Sequence, residues 1–145
     1  MKRLLSTVAI AISLSGPALA DGSTVISQAF DGAFDDATFA LESAILDKGL
    51  VIDSVSHVGD MLARTGEDVG GTVKIFDAAD VYSFCSAQLS RQVMEADPMN
   101  IAHCPYRIFV ADRDGAVSIG YLSMPEGPMK VIEDFLAEIV SAASE

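Results

Sequence analysis

The sequence predicts a single α+β domain: a compact two-layer α/β sandwich with a small mixed or antiparallel sheet and packed helices. Three observations predict it. The chain has 145 residues, a length that suits one domain. Half of those residues are hydrophobic, enough to bury a core and offset the ordering entropy that keeps polar chains disordered. Apolar residues also recur at helical spacing in some segments and in short β-branched runs in others, with turn signals between them, so helices and strands must share one core.

Residues 1–20 stand apart from that domain. Lys2 and Arg3 open an apolar run over 4–14, Ser15-Gly16-Pro17 breaks it, and Ala18-Leu19-Ala20 is a small-residue cleavage pattern. This is the three-part form of a secretory signal peptide. Its apolar run is shorter than the about 20 residues needed to span a bilayer. A periplasmic or secreted protein, cleaved before Asp21, is the expectation. Removing 20 residues and their two positive charges leaves 125 residues with a formal charge of −14, against −12 for the whole chain. No later stretch reaches transmembrane length. The negative charge repels phosphates and argues against nucleic acid, and it favours cations or a basic periplasmic partner protein.

Residues 21–33 read as a lead-in and 34–145 as the domain proper. A first strand is expected within 24–30, with Asp31 or Asp35 placed to cap the helix after it. Phe34, Ala37, Leu41, Ala44 and Ile45 recur at three- and four-residue spacings, and Lys48-Gly49 ends that helix. A β-branched strand over 50–55 and a short helix over 58–64 follow, then a polar, glycine-containing loop over 67–71. Strands are expected over 73–76 and 81–84, and a helix over 86–96 stopped by Asp97-Pro98. Strands over 106–111 and 116–122 flank Asp112-Arg113-Asp114-Gly115, and Asp-Gly between β-rich runs is a hairpin signal. After the break at 124–128, a final helix over 129–143 presents Val131, Ile132, Phe135, Leu136, Ile139 and Val140 as one apolar stripe.

Candidate chemistry sits on His57, Met61, Cys85, Met99, His103 and Cys104. Two cysteines in an exported chain make one disulfide in an oxidising compartment. At a separation of 19 residues, such a bond stabilises by about 3 kcal/mol. Geometry is the objection: on parallel neighbouring strands the two would lie at opposite sheet ends. The alternative is thiolate chemistry. Cys85 falls at a strand-to-helix junction, where helix amides stabilise a thiolate, and Cys104 follows His103, a proton acceptor or metal ligand. There is no C-x-x-C pair and no protease-type signature. A third reading is metal or haem. His57 and Met61 are four residues apart, on one face of a helix, and soft sulfur with imidazole suits copper or haem iron. The absence of C-x-x-C-H excludes covalent c-type haem. The ligand-binding set is then His57, Met61, Cys85 and Cys104, and the metal set is His57, Cys85, His103 and Cys104. The plainer alternative makes Met61 a core residue and His57 a helix cap.

Several of these residues resemble a known family. His57 with Met61-Leu62-Ala63-Arg64-Thr65, Phe84-Cys85-Ser86-Ala87 leading into a helix, and Asp97-Pro98 followed by Cys104-Pro105-Tyr106 look like the DUF302 family. The resemblance runs from about Phe34 to Ser141. It implies a compact α/β sandwich that associates as a homodimer, and it brings no established reaction, so no catalytic residue is carried over. The expected function is an exported, dimeric module that binds a small ligand, non-covalent haem or copper, with His57, Cys85 and Cys104 in one pocket. The alternative is a thiol-dependent redox enzyme or sulfur carrier acting through Cys85 or Cys104.

Overall fold

The computed structural model describes residues 24–145; the leader expected over 1–20 lies outside them. Five strands form one antiparallel sheet: β1 (Val25–Ala29), β2 (Ile52–His57), β3 (Ala78–Phe84), β4 (Tyr106–Arg113) and β5 (Ala116–Leu122). Their spatial order is β1-β5-β4-β3-β2, so the sheet is antiparallel rather than mixed. Four α-helices accompany it: α1 (Phe34–Asp47), α2 (Val58–Thr65), α3 (Ala87–Ala96) and α4 (Lys130–Ala143). None is long and apolar enough to cross a membrane.

The core follows from two periodicities. Alternate residues of β4 (Tyr106, Ile108, Val110) and β5 (Val117, Ile119, Tyr121) are buried, as strand side chains that share one face must be. They meet Leu41 and Ile45 of α1 and Ile132, Leu136 and Ile139 of α4, which recur at helical spacing. α1 begins without a side-chain cap from either predicted aspartate. Asp36, in the first turn, instead accepts the Ala33 N–H at 3.3 Å. The helix stops where expected: Gly49 takes a left-handed φ of 73° and its N–H donates to the Leu46 carbonyl at 2.8 Å. Lys48 then reaches Glu138 of α4 at 2.8 Å, tying the two core helices together.

The β4–β5 turn bears out its sequence signal. Asp114 and Gly115 both take positive φ, 56° and 79°, as a tight turn matched to right-handed strand twist requires. The strand expected over 73–76 is absent. β3 already pairs with β2 on one edge and β4 on the other, so this segment finds no free edge there. It runs as a loop, held where Lys74 pairs with Asp77 and the Asp77 N–H donates to the Asp112 carbonyl at 2.8 Å.

Candidate functional site

Antiparallel pairing places Phe84 of β3 opposite Tyr106 of β4. The segments that follow β3 and precede β4 therefore meet at one end of the sheet. Cys85 and Cys104 flank that pair. They are partly buried and unlinked, so the disulfide considered from the sequence is not formed. They lie close enough that Cys104 acts on the Cys85 thiol. The objection from parallel strands falls, because these neighbours run in opposite directions.

Each thiol is held by its own element. Behind Cys85, Ser86 caps α3, its Oγ accepting the Leu89 N–H at 3.3 Å. Cys104 closes a short 3-10 turn, Pro98–His103, its N–H donating to the Ile101 carbonyl at 3.1 Å. That turn folds onto α3 through the Asn100 amide, which donates to the Val93 carbonyl at 2.9 Å. The hydroxyls of Ser90 and Tyr106 meet at 3.1 Å beside the pair.

Electrostatics reverses one expectation from the sequence. Burial, first, then the neighbouring Cys104 and the charge of Asp53, push the Cys85 thiol up to about 12. Cys85 is thus a protonated thiol at neutral pH, not a thiolate stabilised by a helix. It lies before the cap, and Ser86 rather than its sulfur takes the first-turn amide.

His57 belongs elsewhere. It ends β2 opposite Asp80 of β3, at the other end of the strand from Cys85. Five residues at about 3.4 Å each put roughly 17 Å along the strand between those positions. The pocket shared by His57 and the two cysteines does not exist. His57 does not cap α2 through its side chain. Its Nδ1 meets Asp80 Oδ1 at 2.8 Å, with the imidazole 62% exposed and the carboxylate only 13% exposed. That hydrogen bond, followed by the charges of Asp80 and Asp60, raises the His57 pKa above its usual 6.5. Met61 lies four residues on but is exposed rather than core, and its carbonyl accepts the Thr65 hydroxyl at 2.8 Å.

His103 lines a small cavity of about 60 Å³ with Pro105, Arg107 and Met124, and Met99 is exposed. Among the described residues, no three His, Cys, Asp or Glu side chains converge as a metal centre would require. The proposed metal set of His57, Cys85, His103 and Cys104 is therefore not one site. A larger groove of about 560 Å³ lies between α2 and the 66–76 loop, lined by Leu62, Ala63, Val69, Val73, Ile75 and Phe76. Sequence reasoning missed this groove because it took part of its wall for a strand. It also missed Asp80 and Asp53, whose only signal is the cross-strand register.

Known proteins bear on the fold. The crystal structure of an uncharacterized conserved protein DUF302 from Bacillus stearothermophilus superposes with a TM-score of 0.65 at 16% identity. That match covers 82% of this chain and 97% of the other. No curated protein matches. The family described as Domain of unknown function DUF302 matches residues 26–145, and this chain belongs to it.

Proposed function

We propose that this protein is a thiol–disulfide redox domain in which Cys85 and Cys104 cycle between dithiol and disulfide. One observation carries the reading: two free thiols, supplied by different elements, are brought to one sheet end by the β3–β4 register. In the oxidising direction the pair loses two protons and two electrons to a low-molecular-weight disulfide, which leaves as two thiols. Such cycling fits an oxidising compartment, which export of the chain through its basic, apolar leader would provide. We place the working form there as a homodimer.

The test is a thiol count by alkylation and intact mass on reduced full-length chain, before and after an excess of small-molecule disulfide. The expected result is two reactive thiols falling to none, a mass lower by two hydrogens, and full reversal by reductant. Two thiols that persist under oxidant overturn the reading.

A second reading, small-ligand binding, is favoured by the groove beside α2. Its volume falls within the range of about 300–1,000 Å³ found for ligand pockets, and Val73 and Ile75 on its wall are exposed. An apolar fluorescent probe should bind there and be lost in Leu62→Glu; binding unchanged by that substitution would exclude the groove.

A further inference from the structure

Nothing in the preceding reading says which sulfur acts first or on what. We infer that Cys104 is the attacking thiol, Cys85 the resolving thiol, and a cationic low-molecular-weight disulfide the oxidant; the inference rests on the redox reading above.

The asymmetry is built into the two settings. Cys85 lies between the fully buried Phe84 and the buried Ser86 cap, directly after a strand paired on both edges. Cys104 ends a turn whose neighbours Ile101, Ala102 and Pro105 are exposed. Both thiols are half-buried, but a small disulfide meets Cys104 on a turn with exposed neighbours, whereas Cys85 is flanked by buried ones. The β3–β4 register holds the two thiols at the same sheet end for closure. The proton on Cys85 is held by burial, by Cys104 and by Asp53, which keeps that thiol out of the first step and in reserve for the second.

Charge selects the oxidant. Asp53 sits at the break in β2–β3 register, between Ile52 and Ser54, and its charge acts on Cys85. The whole chain carries −12. A negative field concentrates cationic molecules and repels anionic ones.

The steps balance. The Cys104 thiolate attacks one sulfur of R–S–S–R, the S–S bond breaks, and RS⁻ leaves and takes up the proton that Cys104 gave up. A Cys104–S–S–R mixed disulfide remains. Cys85 then attacks the Cys104 sulfur, the second RS⁻ leaves with the Cys85 proton, and the Cys85–Cys104 bond forms. One disulfide has been reduced to two thiols and one dithiol oxidised to a disulfide.

The experiment uses reduced full-length chain with cystamine as the cationic probe and oxidised glutathione as the anionic one, followed by intact mass. Cys85→Ser should accumulate a single cysteamine adduct at Cys104, and Cys104→Ser should react ~tenfold or more slowly, because the remaining Cys85 is enclosed by buried neighbours and held protonated. Cys85→Ala provides the same readout should the serine variant fold poorly. Cystamine should outpace oxidised glutathione, and both Asp53→Asn and added salt should narrow that gap. Equal or faster adduct formation in Cys104→Ser overturns the assignment of roles. A rate independent of probe charge overturns the substrate class. In either case closure of the wild-type pair shows the redox reading still standing, whereas a wild-type chain that never closes its disulfide overturns that reading itself.

Discussion

His57 and Asp80 form a carboxylate-oriented imidazole on a largely exposed ring, a geometry that fixes ring orientation and raises basicity. Folding creates the pair, so the His57 pKa is raised in the folded chain and stays near 6.5 in the unfolded one. The sign follows from linkage. The pair's stabilisation is fully present below pH 6.5 and is lost as pH rises through the higher folded-state value. Exposure of the ring keeps the contribution small. An NMR titration of the imidazole, assigned with His57→Gln, should give a midpoint above 6.5, and Asp80→Asn should lower it, leaving the weaker effect of Asp60. A wild-type midpoint at or below 6.5 would exclude the pair. Cys85 titrates in the opposite sense to the helix-junction argument because desolvation of a thiolate outweighs a dipole directed at a different residue.

Two glycines show how backbone demands differ between elements. At Gly115, with φ of 79° and no atom within 4 Å of an added Cβ, the demand is conformational alone. Gly115→Ala should cost about 1 kcal/mol, the penalty of a left-handed residue. At Gly120 an added Cβ would meet the Ile26 carbonyl oxygen at 2.5 Å and the Phe109 ring at 2.7 Å. Backbone on the β1–β5 pair cannot yield as a side chain can, so Gly120→Ala should cost roughly 2–3 kcal/mol. Denaturant unfolding of the two variants measures both, and a Gly120 variant no less stable than the Gly115 variant would contradict the close strand approach.

For the molecule as a whole, the core lies between the sheet and the α1–α4 pair, with Leu136 fully buried at its centre. Leu136→Ala should lower unfolding free energy by about 3 kcal/mol, and a loss under 1 kcal/mol would remove α4 from the core. Assembly is the second prediction at this scale. Among the described residues β1 is exposed along its whole length and ends the sheet, an edge of the kind that proteins usually cover or blunt. Light scattering after size exclusion at micromolar concentration should report the mass of two chains; a single-chain mass throughout would rule out the dimer. Much of this architecture was legible because it rests on local patterns. The α4 stripe, the Lys48-Gly49 stop and the Asp114-Gly115 turn are set by residues within a few positions of one another. What could not be read is whatever depends on register and strand order. Segment 73–76 has strand-like residues but no vacant edge on β3, and nothing local reports that β2 and β4 already occupy both. The same global pairing separates His57 from the thiols and brings Cys85 to Cys104. The sequence by itself marked Cys85 and Cys104 as candidates and set the local elements around them; antiparallel strand order decided which side chains meet, Asp80 with His57 among them, because cross-strand contact is fixed by hydrogen-bond register between distant segments.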